Sequence, residues 1–244
     1  MSKLLGLVVA TVLVAAQPTA AAAEVTDCST SLVSSAMSPT AIVVGIGTVR
    51  SSTYTVKVDN TCDNPSVTVN LASVEDVVGK NVPMTEGATV DGVTTFSGTT
   101  TWNSTTLDVQ HYAGDWMSYI DLSSDNGPST DGPGVSFKVL RSAALVQKVS
   151  DDSVAEQTVV NVTGSLRRAS WDDQTLVPFG GQMVSLQFQP SGGTYSTVKT
   201  MRSSSNGSTF GVVRVEATGC YRTVSPATGT TASATSAPSC VVAS

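Results

Sequence analysis

The chain has 244 residues, with 13 Lys and Arg against 19 Asp and Glu and a formal net charge of −6. That balance argues against nucleic acid and against docking on anionic lipid by charge, because nothing in it would neutralise phosphates in bulk. Only 13% of residues are charged, and the abundance of Thr, Ser, Val and Gly suits strands joined by polar turns rather than helices.

The first segment, Met1 to Ala23, has the layout of a secretory signal peptide. Lys3 supplies the positive start, Leu4 to Ala16 the apolar run, and Ala20 to Ala23 the small residues for cleavage. The mature chain is expected to begin near Glu24, outside the cytoplasm. Cys28 lies close to the cleavage region, but Val25-Thr26-Asp27 before it lacks the small residues of a lipid-attachment motif. No second apolar run approaches the ~20 residues that span a membrane.

In the mature chain, Tyr54, Val56 and Val58 alternate with polar residues, and so do Val67, Val69 and Leu71. With the turn Thr61-Cys62-Asp63-Asn64-Pro65 between them, these runs predict a hairpin with one buried face. Asp91-Gly92 predicts a turn before a short strand, Val93 to Phe96. His111 is the one histidine. No nucleophile elbow lies near it, so a Ser-His-Asp or Cys-His site is not expected. Trp116, Tyr119 and Ile120 form an apolar patch expected to enter the core.

Residues 123–134 are predicted as a long loop rich in Asp, Gly and Pro. Asp121, Ser123 and Asp125 have the first spacings of a calcium loop, and Asp131 is near enough to join them. The pattern then departs, with Asn126 where Gly is needed and Gly132 where a bidentate Glu is needed. Asp121, Asp125 and Asp131 are therefore a candidate weak calcium site, and Asp172-Asp173 after Trp171 is a second. No other cofactor is expected.

Val135 to Val139 alternates again and closes a first unit. Strands follow around Val160, Val162 and Leu166, and around Val184, Leu186 and Phe188, with Pro190 ending the latter. Gly192-Gly193 and Asn206-Gly207 are turn signals, the second suited to a two-residue hairpin loop. Short strands at regular spacing read as all-β sandwiches, and no helix or clean internal repeat is visible after the leader.

One resemblance is carried by Phe137-Lys138-Val139-Leu140-Arg141, Val162-Thr163-Gly164-Ser165-Leu166, Ala169-Ser170-Trp171, Gly181 to Phe188, Thr194 to Thr200 and Gly219-Cys220-Tyr221-Arg222. Residues 137–244 resemble the Ig-like domain of secreted actinomycete proteins, a family often labelled calcium-binding or uncharacterised. The resemblance implies an exported Ig-like β-sandwich and is nearly silent on activity. Within it, Gly164 is expected at a close backbone approach or bend, and the Tyr221 hydroxyl at a sandwich corner.

The mature chain has four cysteines, Cys28, Cys62, Cys220 and Cys240, and an even count in an exported chain predicts two disulfides. Of three pairings, Cys28–Cys62 and Cys220–Cys240 are favoured, because each stays at one end of the chain. No CxxC pair supports a metal site. Three sequons, at Asn103, Asn161 and Asn206, are expected to be incidental in a Thr- and Ser-rich chain of the bacterial origin that the resemblance implies.

The expected organisation is a signal peptide at 1–23, a β-sandwich at 24–140 and an Ig-like β-sandwich at 141–244. The expected function is a secreted, non-catalytic protein that acts by surface contacts with an extracellular protein or cell-wall component. The alternative is a secreted glycosidase-like hydrolase, using acids such as Glu75, Asp76, Asp172 or Asp173, or a hydrolase inhibitor. With 5% aromatic residues, few rings are available for stacking on carbohydrate.

Overall fold

The computed structural model describes residues 28–62, 64–75, 79–107, 112–125, 127 and 129–244. The expected leader, Asp76, His111 and Asn126 lie outside them. The described chain is all-β. Nine strands form the first unit: β1 (Thr30–Ser38), β2 (Ala41–Val44), β3 (Val49–Asn60), β4 (Ser66–Ser73), β5 (Gly79–Val82), β6 (Thr85–Val90), β7 (Val93–Asn103), β8 (Gly114–Ser123) and β9 (Thr130–Arg141). They make two sheets, of order β1-β3-β7-β6 and β2-β9-β8-β4-β5. Lettered in chain order, these are A-B-E-D packed on A′-G-F-C-C′, the strand plan of an immunoglobulin sandwich.

The second unit contains β10 (Ala143–Val149), β11 (Ser153–Val154), β12 (Val159–Ser170), β13 (Thr175–Pro178), β14 (Met183–Pro190), β15 (Ser196–Arg202), β16 (Ser208–Arg214), β17 (Gly219–Ser225), β18 (Ala234–Thr235) and β19 (Ser239–Ala243). One sheet is β10-β12-β13 with β16 also on β12; the other is β11-β19-β17-β14-β15 with β18 on β17. Stripped of the short strands, this is A-B-E against C′-C-F-G. The two units thus share an Ig-like plan that the sequence, with no clean repeat, conceals.

Each sandwich encloses its own core, built by the inward-facing half of every alternating strand. In the first, Tyr54, Val56 and Val58 from β3 meet Val67, Val69 and Leu71 from β4 across the sandwich. Trp102 and Trp116 cross edge to face at 5.2 Å, a favourable quadrupole arrangement. In the second, Val160, Val162 and Leu166 face Val184, Leu186 and Tyr221.

Several local expectations need correction. The runs around Tyr54–Val58 and Val67–Leu71 are not a hairpin. They are β3 and β4, in opposite sheets, with β3 bonded to β1 and β7 and β4 to β5 and β8. Both runs bury one face, and burying those faces against each other places them in facing sheets. The strand begun at Val93 runs to Asn103. The loop expected over 123–134 ends early, since Thr130 already pairs with Leu122 in β9.

Asn206-Gly207 turns the chain, but β15 and β16, which it joins, belong to different sheets. By contrast, Asp91-Gly92 does close a hairpin, with both residues at positive φ, 51° and 80°, as its tight turn requires. Tyr119 is exposed while Trp116 and Ile120 are buried, because odd and even positions of one strand face opposite ways. Gly164 does sit at a close approach: a Cβ there would lie 2.4 Å from the Val146 carbonyl oxygen.

The structure bonds Cys28 to Cys62 and Cys220 to Cys240. The first ties the entry to β1 to the turn after β3. The second joins register partners on β17 and β19 and staples the last strand to its sheet.

The two units meet through side chains of the second. Trp171, in the turn between β12 and β13, is fully buried in the first core together with Ala169. Its indole N–H donates to the Val44 carbonyl at 3.3 Å. In the same turn, Gln174 accepts from the Ser104 hydroxyl at 2.7 Å and donates to the Ser104 carbonyl at 2.8 Å. Arg141 is buried at this junction, where it donates to the Thr230 hydroxyl at 3.0 Å. Loss of solvent and the nearby Arg168 lower its pKa to about 10, against the opposing pull of Asp172.

Candidate functional site

The sequence-predicted acids separate into distinct settings. Asp121 on β8 and Asp131 on β9 are register partners on the solvent face of the first sandwich. Asp125 lies beyond the end of β8, where its carboxylate accepts from Asn64 at 2.7 Å. Among the described residues no group of three His, Cys, Asp or Glu side chains is placed to hold a metal ion. Asp173 accepts from the Ser170 hydroxyl at 2.7 Å, and Asp172 acts on Arg141. These two acids therefore serve the junction between the sandwiches.

Tyr221 does not hold a corner. Its ring packs on Phe188 at 4.7 Å, and burial with the nearby Glu216 carboxylate pushes its hydroxyl pKa up. Both groups belong to a feature that sequence reasoning missed, the open flank of the second sandwich. In the first sandwich, β6 covers the edge of β7. The second has no equivalent strand, so β16 pairs only with β12 and β15 only with β14.

Between these two unpaired edges lies a cleft of about 460 Å³, lined by Phe188, Val198, Lys199, Val212, Arg214 and Tyr221 among others. Large apolar side chains are bare on the same two strands: Phe210 on β16 is 61% exposed and Val198 on β15 49%. The Lys199 ammonium crosses the cleft and donates to the Val212 carbonyl at 3.1 Å, so it occupies one of the outward-facing acceptors of β16. Lysine on an edge strand is a common guard against unwanted pairing. The sequence signal for this flank was weak, because an exposed Phe210 on a strand looks like any core phenylalanine until its sheet partners are known.

Charge divides between the units. Residues 28–141 hold eleven acids and five bases, whereas 142–244 hold six acids and seven bases. The acidity of the chain thus resides in the first sandwich, while two bases, Lys199 and Arg214, and one acid, Glu216, line the cleft of the second.

A smaller cavity of about 240 Å³ in the first sandwich is lined by Lys80, Trp102, Leu107, Tyr112 and Trp116. Burial lowers the Lys80 pKa. Its ammonium sits 4.9 Å from the Trp102 ring centroid, and the described lining offers no carboxylate to work with it.

No family model matches the chain, and no curated protein matches it. Solved structures that the chain matches include an adhesin, InvE, of Yersinia pseudotuberculosis, at 10% identity and a TM-score of 0.31 over 88% of this chain and 60% of that one. The D0–D1 domain of intimin matches at 13% identity and a TM-score of 0.31, over 86% and 98% of the two chains. Fibronectin(III)-like modules of Clostridium thermocellum CbhA match at 10% identity and a TM-score of 0.34, over 87% and 92%. This chain spans 60% of the length of the adhesin. The strand order described above, rather than these distant matches, defines the Ig-like fold. Among the described residues no helix is long and apolar enough to cross a membrane.

Proposed function

We propose that this chain is a secreted, non-catalytic binding protein that holds an extended segment of an extracellular protein or cell-wall component along the open flank of its second sandwich. The observation that carries this is the unpaired β16 edge beside a cleft, with Phe210 and Val198 bare on the two edge strands. An added strand would pair with the free backbone groups of β16 and seat alternate side chains in the cleft. Lys199 and Arg214, against the single acid Glu216, favour a segment bearing acids, and Lys199 would exchange the Val212 carbonyl for a partner carboxylate. Export is supported by the leader-like first segment, by the two disulfides and by the resemblance of residues 137–244 to Ig-like domains of secreted actinomycete proteins.

The experiment uses mature protein recovered from the medium, whose sequence should begin near Glu24. A photo-crosslinking residue is placed at Phe210 and, as a control, at exposed Lys57 on the first sandwich. Incubated with medium and cell-wall fractions, the 210 variant should label a discrete partner that the 57 variant does not. Equal labelling from both positions would remove the flank from consideration. Release of reducing sugar by the purified chain would instead establish the hydrolase alternative.

Calcium enters as a weak stabiliser. Asp121 and Asp131 face each other across neighbouring strands, where like charges are destabilising, and a hard cation with oxygen preference would relieve them. Saturating calcium is expected to stabilise the mature chain by roughly 1 kcal/mol, read as a rise in the thermal midpoint. An equal rise in Asp131→Asn would show that calcium acts elsewhere.

A further inference from the structure

We propose that the solvent face of the first sandwich around Tyr119 is a binding site for a neutral glycan chain. This site is separate from the flank of the second sandwich and does not depend on it. The face belongs to the sheet β2-β9-β8-β4-β5, and Tyr119 stands on β8, in its interior. A tyrosine there is 52% exposed, although an inward position on the same strand would have buried it in the core. Its hydroxyl donates to Met117 Sδ at 2.8 Å, two residues back along the strand. An upright ring would carry that hydroxyl well above the sheet, so the ring leans along the strand toward Met117 with half of its surface open to solvent.

Beside the ring runs a ladder of planar polar groups. Asn70 is the register partner of Tyr119. Its amide donates to the Asp121 carboxylate at 3.3 Å and accepts from the Asn81 amide at 3.4 Å. The three side chains come from β8, β4 and β5, three adjacent strands. At the usual spacing of about 4.8 Å these span about 10 Å, close to two linked sugar rings. The ladder consumes one N–H of each amide and one oxygen of each acceptor. The second N–H of Asn70 and of Asn81, the Asn81 carbonyl oxygen and the other Asp121 oxygen stay available to a ligand.

The chemistry of the face selects the occupant. A pyranose has an apolar C–H face that packs on the negative face of an aromatic ring. Its vicinal hydroxyls both donate and accept, and so match the free amide and carboxylate groups of the ladder. Charge complementarity excludes the competitors. Lys138 on this face is paired with Asp115, while without calcium Asp121 and Asp131 leave it net negative, so an anionic polymer is repelled. A protein partner would want an apolar or arginine-rich centre, and this face has one ring among amides, acids and hydroxyls.

The test uses the full mature chain, free of calcium, in affinity electrophoresis and titration calorimetry against neutral polysaccharides (starch, β-glucan, xylan, mannan and chitin), with hyaluronan and polygalacturonate as anionic controls. At least one neutral polymer should bind and neither anionic one should. Tyr119→Ala and Asn70→Ala should each weaken binding at least tenfold. Both residues lie on the solvent face, so the fold should survive, as the thermal midpoint will show. Phe210→Ser should leave glycan binding unchanged, which separates failure here from failure at the flank. No binding to any neutral polymer, binding that survives Tyr119→Ala, or a preference for the anionic polymers would overturn the proposal.

Discussion

Replacing Trp171 with alanine is expected to destabilise the protein by about 4 kcal/mol, the middle of the range for truncating a buried aromatic. The indole is fully buried, yet the strand pair that carries it belongs to the second sandwich while its packing partners belong to the first. Truncation would open a cavity in the first core and leave the Val44 carbonyl without its indole donor. It would also loosen the turn through which Gln174 grips Ser104. The loss should therefore fall mainly on the first sandwich.

The remaining tryptophans, Trp102 and Trp116, both lie in that core, so their fluorescence reports its unfolding. In urea, the Trp171→Ala fluorescence transition should shift well below that of the wild type. Circular dichroism, which sees both sandwiches, should split into two steps, as expected when coupling between folding units is lost. A single unshifted transition by both probes would mean that Trp171 contributes little and that the units are joined in some other way.

Removing the Cys28–Cys62 bridge by the double substitution Cys28→Ala and Cys62→Ala is expected to cost about 4 kcal/mol. The bond joins residues 34 apart, and a loop of that length releases roughly this much chain entropy to the unfolded state when it is opened. The Cys220–Cys240 bridge joins residues 20 apart and should cost about 3 kcal/mol by the same relation. It links strands that already pair through their backbones, whereas Cys28 precedes β1 and has its disulfide to hold it against the turn after β3. The check is the urea midpoint of each double variant under non-reducing conditions. If opening the shorter loop proved the more damaging, native contacts around β19 rather than loop entropy would dominate.

Much of the strand content was legible because it is a local property. Period-two alternation marked β3, β4, β12 and β14 from their own residues, and Asp91-Gly92 announced its turn because both residues tolerate positive φ. The same period could have shown that Tyr119 faces away from Trp116 and Ile120. Treating the three as one apolar patch ignored their parity, and with it the exposed ring. Phe210 was not legible in this way. Its alternation is equally regular, and it is exposed only because no strand covers the edge of β16.

The sequence by itself determined that this protein is built from alternating strands and turns, with no helix among the described residues, since side-chain period and turn chemistry act over a few residues. Only the tertiary structure decided which strands share a sheet, which edge stays open and which core receives Trp171. The physical reason is that a half-apolar strand specifies which of its faces must be buried but not what buries it. For β3 and β4 the answer was each other, across the sandwich instead of side by side. For Trp171 it was a cavity in the neighbouring unit, formed by residues as distant in the chain as Val44.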